Sequence, residues 1–325
     1  MSIRSEQAFL DLIDRAFPTG VGHAGLPAGF GRGDDACIIE PEGALCLSSD
    51  LFLEDVHFRR SYFRPADIGH KALAVNLSDM AAMGARPRGF LMNLMVPPDL
   101  DEQYFRPLLA GMAELAEAFE CPLLGGDLSR AASLGLAITI WGSAAPGGRF
   151  LTRGHARPGD ELFVVGRLGL ARVGLLTLER RGEAAKAALP EATAAHLRPR
   201  PLVAEGLALA GLPGVRGLMD VSDGLARDLP RFLALSPGHG ADLALPAETL
   251  HPELREAAES PGEALRTAVL GGEDYALLGA AAPGALRCIQ ASVPGVLGIG
   301  AVTETAGLRV NGAAWTQEGF DHFGD

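Results

Sequence analysis

Short acidic motifs recur along this sequence at the ends of predicted strands and the starts of predicted helices. They constrain the fold more than any other feature. Each of the six combines aspartate or glutamate with small residues such as glycine, serine or alanine: GDDA (33–36), SSD (48–50), NLSD (76–79), GGD (125–127), DVSDG (220–224) and GGED (271–274). In α/β folds, ligand sites form where buried strands end. The pattern therefore predicts an α/β protein with acidic groups at strand ends.

Strand-like and helix-like patterns alternate along the whole chain, which predicts an α/β (α+β) architecture with mixed sheets covered by helices. Predicted helices cover 5–17, 67–84, 171–181, 202–210 and 224–235, and predicted strands cover 36–40, 44–50, 89–98, 123–130, 134–142, 161–165, 217–222, 276–280 and 309–312. Asp67 is expected to cap the second helix and Gly84 to end it. A further helical pattern runs to Phe119, and Pro107 is expected to kink it or delay its start.

A segment rich in glycine, proline and turn residues, 147–160, separates the two halves of the chain. We place a domain boundary near Gly147, which gives domains of 1–147 and 148–325. The length of 325 residues suits two domains of ordinary size.

Composition limits the classes of partner. The formal net charge of −12 argues against a nucleic acid or an anionic membrane surface as the main partner. The four cysteines are scattered without metal-ligand spacing, which favours a reducing compartment. The first 17 residues carry acids throughout, and the uncharged stretch 131–148 is broken by polar residues, proline and glycines. We therefore predict a cytoplasmic protein without a membrane span.

Converging acidic motifs would need bound cations. Two carboxylates about 4 Å apart repel by about 4 kcal/mol at an effective dielectric constant of about 20. Oxygen ligands without accompanying histidine or cysteine favour Mg²⁺ or Ca²⁺, and neighbouring glycines let backbone N–H groups approach phosphate oxygens. For any single motif, a helix cap or an ordinary turn is the simpler interpretation. The recurrence of the pattern in both halves is what favours a metal–phosphate site.

Other phosphate-binding devices are absent from the sequence. Neither of the two lysines, Lys71 and Lys186, lies in a Walker A motif, and the protein-kinase signatures are missing. DVSDG does not have the spacing of an EF-hand loop, and GFGRG lacks the strand and helix context of a dinucleotide fingerprint. Phosphoryl transfer by this chain would therefore depend on metal ions and arginine.

The ordered motifs resemble those of bacterial thiamine-monophosphate kinase across essentially the whole chain. They are GDDA, SSDLFLEDVHF, KALAVNLSDMAAMGARP, GGDLSR, LTRGHARPGD, DVSDGLARDL, GGEDYALL and GFDHF. The DDA and GGD motifs alone would also fit the wider superfamily of aminoimidazole ribonucleotide synthetase, selenophosphate synthetase and a hydrogenase-maturation protein. The VHF after SSD, SDMAAMGARP, GGEDY and GFDHF favour the kinase.

The resemblance implies a two-domain aminoimidazole ribonucleotide synthetase-like fold and a defined reaction. The γ-phosphate of ATP would pass directly to the phosphate of thiamine monophosphate, with several Mg²⁺ ions and no phosphoenzyme. Domain 1–147 would bind ATP and Mg²⁺ and form a homodimer, and domain 148–325 would complete the active-site cleft.

The resemblance also implies roles for residues at matching positions. The metal ligands would be Asp35, Ser48, Ser49, Asp50, Asp79, Asp127, Asp220 and Asp223. ATP would contact Gly126, Asp127, Arg153 and Ser222, and the thiamine substrate would contact His57, Glu273 and Phe320. Asp50, Asp127 and Arg153 would be catalytic. Ser49 and Leu128 stand where the family usually has threonine; serine keeps the hydroxyl, whereas leucine removes one.

Two alternatives remain open from the sequence. One is an ATP-dependent enzyme of the same superfamily with a different phosphorylated acceptor. The other is a non-catalytic protein that binds a nucleotide or Mg²⁺ and acts as a regulator. Turnover that depends on thiamine monophosphate would separate the kinase from both.

Overall fold

The computed structural model describes residues 6–18, 32, 36–39, 41–235 and 238–317. Its chain divides into two compact units: the N-terminal unit, Met1–Met80 with Arg86–Ala144, and the C-terminal unit, Ala81–Ala85 with Ala145–Asp325. The two mixed sheets and their covering helices match the predicted fold class.

The N-terminal unit is built on a four-stranded mixed sheet in the order β1-β4-β2-β3. The strands are β1 (Leu45–Leu53), β2 (Ala85–Val96), β3 (Leu123–Arg130) and β4 (Gly135–Ala144), and the helices are α1 (Glu6–Ala16), α2 (Pro65–Ala82) and α3 (Glu102–Ala118). β1 pairs antiparallel with β4, and β2 pairs parallel with β3.

Helices α2 and α3 pack with their backbones in close contact. A Cβ on Gly69 would lie 1.9 Å from the carbonyl oxygen of Leu108, and one on Gly111 would lie 2.2 Å from that of Ala66. Only glycine permits this approach. Ile68 and Leu73 of α2 are completely buried, so this helix fixes the position of the residues that it directs at the sheet.

Three local predictions in the N-terminal unit were wrong. Residues 36–39 form no strand. Helix α2 begins at Pro65, whose fixed φ suits a first helical position, and Asp67 lies inside its first turn. Pro107 does not delay the start of α3: Asp101 caps that start, and the helix continues through Pro107 because its buried face, including Phe105 and Leu108, holds it in the core.

The C-terminal unit contains a seven-stranded mixed sheet in the order β11-β10-β7-β9-β5-β8-β6. The strands are β5 (Glu161–Val165), β6 (Val215–Val221), β7 (Gly240–Leu243), β8 (Ala276–Ala281), β9 (Val296–Thr303), β10 (Gly307–Val310) and β11 (Ala313–Trp315). The helices are α4 (Leu170–Arg181), α5 (Ala185–Ala188), α6 (Pro190–Leu197), α7 (Val203–Ala210), α8 (Leu225–Leu233), α9 (Pro252–Ala257), α10 (Pro261–Leu270) and α11 (Leu286–Ser292), with 3₁₀ turns at Gly182–Ala184 and Ala247–Thr249.

The core of the C-terminal unit lies on this sheet. β8 is buried along its whole length and lies between β5 and β6, antiparallel to both. The predicted strand at 161–165 is confirmed with its bounds, because a continuous apolar run between turn residues is typical of a fully buried strand. Within the described residues, no helix has the length and apolar character needed to cross a membrane.

Candidate active site

Strand β1 and helix α2 bring Ser48, Asp50 and Asp79 together. Side chains alternate between the two faces of a strand, so Ser48 and Asp50 lie on the same face of β1. That face is directed at α2, where the hydroxyl of Ser48 donates a hydrogen bond to Asp79. Asp50 also forms a side-chain hydrogen bond with Asp79.

The adjacent carboxyl groups of Asp50 and Asp79 favour binding of positive charge. Burial raises the pKa of Asp50 to about 6, and the charge of Asp79 and the hydrogen bond between the two carboxyl groups add to the rise. Below about pH 6 a bound proton neutralises Asp50, and at higher pH a divalent cation with oxygen ligands would neutralise the pair. The donor set of two carboxylates and a hydroxyl fits Mg²⁺. Across the described part of the chain, no group of three His, Cys, Asp or Glu side chains is arranged to hold a metal.

The hydroxyl of Ser49 is not part of this group. Ser49 follows Ser48 and therefore lies on the other face of β1, where its Oγ donates to the carbonyl oxygen of Ile138 at 3.1 Å and lies 3.0 Å from Oγ1 of Thr139. The neighbouring positions on that face, Leu47 and Leu51, are 63% and 56% exposed. Among the predicted ligands of β1, only Ser48 and Asp50 face Asp79.

Asp127 is also separate from the Asp50–Asp79 pair. It lies on β3 in register with Asn93 of β2, and both are exposed, whereas Met92 and Leu94 are buried. Strands β1 and β3 form the two edges of the sheet, three strand spacings apart, or about 14 Å along the sheet. Asp127 and Asp50 therefore do not share one ion within this unit.

Gly126 gives Asp127 its place beside β2. The backbone of Gly126 has φ +149°, and a Cβ at this position would lie 1.8 Å from the carbonyl oxygen of Met92. Any other residue would separate β3 from β2 at this point. The GGD motif therefore has a structural requirement for its second glycine, whatever ligand it binds.

His57 lies just after β1 in a tightly bonded turn. Its Nδ1 accepts a hydrogen bond from the backbone N–H of Leu53 at 3.0 Å, and its ring stacks on Phe52 with centroids 5.9 Å apart. An accepting Nδ1 places the proton of the neutral ring on Nε2. Nearby, Arg60 bonds Glu54 and Asp99, which joins this turn to the segment before α3.

In the C-terminal unit, β6 ends at the DVSDG motif. Asp220 is buried in β6, and Asp223 follows it in the turn before α8. The backbone N–H of Asp223 donates to Asp228 at 2.8 Å, and the Arg231 guanidinium bonds both carboxylates. Burial raises the pKa of Asp228, which is completely inaccessible to solvent. The role of Asp228 was not predicted from the sequence, although its spacing of three residues from Arg231 is typical of an ion pair on a helix.

The GGED motif forms the turn 271–275 beside DVSDG. The backbone N–H of Glu273 donates to the carbonyl oxygen of Ser222 at 2.7 Å, and that of Tyr275 donates to Val221 at 2.9 Å. The structure therefore joins Ser222, a predicted ATP contact, to Glu273, a predicted substrate contact. Glu273 and Tyr275 have φ of +64° and +48°, conformations that non-glycine residues adopt only when the surroundings enforce them.

Asp274 fixes this turn to helix α4. Its carboxylate accepts hydrogen bonds from the backbone N–H groups of Gly169 and Ala171 at the start of that helix. Burial raises the pKa of Asp274 to about 7, against the opposing effect of these bonds. The role of Asp274 was not predictable from the sequence, because its partners lie more than 100 positions away in the chain.

Three predicted site residues remain, of which the structure describes only Arg153. Arg153 is exposed, and the N–H of the next residue, Gly154, donates to the carbonyl oxygen of Phe232 in α8 at 3.2 Å. Asp35 and Phe320 lie outside the described residues.

Comparison with known proteins gives consistent results. Residues 33–144 match the family model described as "AIR synthase related protein, N-terminal domain". The chain is 38% identical over 260 residues to thiamine-monophosphate kinase of Escherichia coli K12, covering 78% of this chain and 76% of that protein. It is 33% identical over 311 residues to the Synechococcus elongatus protein of the same name, covering 90% and 91%.

Solved structures share the fold. Thiamine-monophosphate kinase from Stenotrophomonas maltophilia K279a has a TM-score of 0.77 and 34% identity, covering 88% of this chain and 92% of its own. The AaThiL complex with AMPPCP and TMP has a TM-score of 0.76 and 30% identity, covering 98% and 97%. HypE of E. coli, a hydrogenase maturation protein, has a TM-score of 0.75 at 23% identity, which shows a common fold alone. By its identity to the curated relatives over most of its length, the chain belongs to the thiamine-monophosphate kinase family.

Proposed function

We propose that this chain transfers the γ-phosphate of ATP to the phosphate of thiamine monophosphate, which yields thiamine diphosphate and ADP. The observation that carries the proposal is the similarity to AaThiL, a structure complexed with AMPPCP and TMP that matches 98% of this chain at 30% identity. The acidic motifs of both units fit this chemistry, because two anionic phosphates must be brought together for the reaction.

The proposal includes several Mg²⁺ ions. Ser48, Asp50 and Asp79 would hold one, and the pKa of Asp50, which burial and the neighbouring Asp79 raise, supports this assignment. Asp35, Ser49, Asp127, Asp220 and Asp223 are the further candidate ligands from the sequence. Bound Mg²⁺ would neutralise phosphate charge. The separation of Asp127 from Asp50 within the sheet supports more than one ion, since one ion is too small to contact both.

The protein's own groups would orient the two substrates. Gly126 and Ser222 would contact the nucleotide through their backbones, and the exposed Arg153 has the planar donors that suit a phosphate oxygen. Glu273 would pair with the positive charge or the amino group of the thiamine substrate. His57, with a proton on Nε2 in its neutral form, would donate a hydrogen bond, and Phe320 would pack on the heteroaromatic rings.

A homodimer in the cytoplasm completes the proposal. Residues 1–147 would supply nucleotide, Mg²⁺ and dimer contacts, and 148–325 would supply further ligands such as Glu273. Leu47 and Leu51 are exposed apolar residues on the face of β1 opposite Asp50, and they support contact with a second copy of this chain. The cysteines of the described residues are all free thiols, which supports a reducing location. Sedimentation of the purified protein measures its oligomeric state.

The experiment that tests the function is an assay of ADP release with ATP, Mg²⁺ and one acceptor at a time. Thiamine monophosphate should drive ADP release, whereas free thiamine and other phosphorylated acceptors should not. Release driven by a different phosphorylated compound would favour the alternative enzyme of the same fold. ATP binding without release for any acceptor would favour the regulator.

A further inference from the structure

The turn that carries Glu273 is held at several points within the C-terminal unit. Its backbone is bonded to Ser222 and Val221, and its next residue, Asp274, is bonded to the start of α4. These bonds fix the backbone of Glu273 in its left-handed conformation. They do not fix the three side-chain torsions that place its carboxylate, so a further contact is needed to orient that group.

His196 provides this contact. Its Nδ1 lies 3.1 Å from Oε2 of Glu273, and its side chain is 1% exposed, whereas that of Glu273 is 27% exposed. A carboxylate only accepts, so Nδ1 carries the proton and donates. The histidine is thus a buried donor behind a partly exposed carboxylate.

The packing of α6 on α4 fixes the histidine. A Cβ on Gly174 of α4 would lie 2.0 Å from the carbonyl oxygen of Ala192 and 3.1 Å from Cβ of His196. The glycine therefore lets the two helices approach closely enough for His196 to reach the turn 271–275. Asp274 fixes the same turn to the first residues of α4. Helix α4 therefore helps to position both His196 and Glu273.

We propose that His196 is a positioning residue for thiamine monophosphate: its Nδ1–H orients the Glu273 carboxylate that receives the cationic or amino part of the substrate. This inference rests on the proposed function. The hydrogen bond from His196 orders the Glu273 carboxylate before the substrate binds. Substrate binding then does not include the entropic cost of ordering this side chain. The histidine would therefore act on binding of the thiamine substrate and not on binding of ATP.

A second buried histidine serves as a control for the loss of stability that replacing any buried histidine could cause. His251, before α9, is also buried, and its Nε2 lies 3.0 Å from Oε2 of Glu191 at the start of α6. Glu191 is 70% exposed and has no proposed role in binding. His251→Gln should therefore change stability without changing either Michaelis constant.

The test compares two amides at position 196 in the full-length protein. Asparagine places an amide N–H near the position of Nδ1, whereas glutamine places it near Nε2. His196→Gln should raise KM for thiamine monophosphate about tenfold, with KM for ATP within about twofold. His196→Asn should restore a value within about threefold of the wild type. Thermal unfolding of each variant reports whether it is folded.

The outcomes separate the inference from the proposed function. Failure of the wild type to phosphorylate thiamine monophosphate would refute the function itself. With the wild type active, an unchanged KM in both variants, or an equal rise for both substrates, would overturn the role of His196. Should His196→Gln not fold, the comparison uses Glu273→Gln alone and combined with His196→Asn. An effect of Glu273→Gln limited to ATP, or no effect, would overturn the role as well.

Discussion

Replacing Asp50 by asparagine should stabilise the metal-free protein and abolish its activity. The pKa of Asp50 rises from 3.8 to about 6 because of burial and of Asp79. A shift of about 2 units corresponds to about 3 kcal/mol, at most, by which the ionised pair destabilises the fold above pH 6. Asparagine removes one charge and can donate a hydrogen bond to Asp79, so we expect a gain of about 1–3 kcal/mol at pH 8.

The assay is urea unfolding at pH 8, with EDTA and then with Mg²⁺, together with ADP release. Mg²⁺ should stabilise the wild type more than the variant, because one of the carboxylates that bind it is lost. Asp11→Asn is the matched control, since Asp11 is exposed on α1 in the same unit. If the variant is less stable without metal, is stabilised by Mg²⁺ as much as the wild type, or remains active, Asp50 does not have the proposed role.

Three further predictions concern the second unit, the GGD motif and the C-terminus. The pKa of Asp274 is raised to about 7 from 3.8, so the native state binds its proton more tightly than the unfolded state. Stability should therefore fall by up to about 4 kcal/mol between pH 4 and about pH 7, and urea midpoints of Asp274→Asn should show a flatter pH profile; an identical profile would contradict the assignment. Gly126→Ala should cost at least about 2 kcal/mol in urea unfolding because its Cβ would meet the Met92 carbonyl, whereas Gly262→Ala, with nothing nearer than 3.8 Å, should cost little. Phe320→Ala should raise KM for thiamine monophosphate and leave KM for ATP unchanged; an equal rise for both would remove the proposed contact.

Elements with a strong local signal were predictable from the sequence. β5 was predicted with its bounds from an apolar run between turns, and the amphipathic pattern of α1 placed that helix within one residue at each end. Residues 36–39 carry a similar apolar signal without forming a strand. A short apolar run shows that a segment tends to be buried, but its pairing depends on the rest of the fold.

The candidate site was predictable in its residue types and less so in its grouping. The period of two along a strand already separates Ser49 from Ser48 and Asp50, so this division was available from the sequence. The edge-to-edge separation of Asp127 from Asp50 depends on the strand order, which local patterns do not specify. His196 was not found because its contact with Glu273 spans distant parts of the chain and carries no local motif.

The identity of the reaction product decides whether this chain phosphorylates thiamine monophosphate. Purified protein is incubated with Mg²⁺, thiamine monophosphate and ATP that is labelled in its γ-phosphate. The thiamine compounds are then separated and identified by mass spectrometry. We expect thiamine diphosphate that carries the label in its terminal phosphate, formed together with an equal amount of ADP. Label released as inorganic phosphate with thiamine monophosphate unchanged would contradict the proposed function.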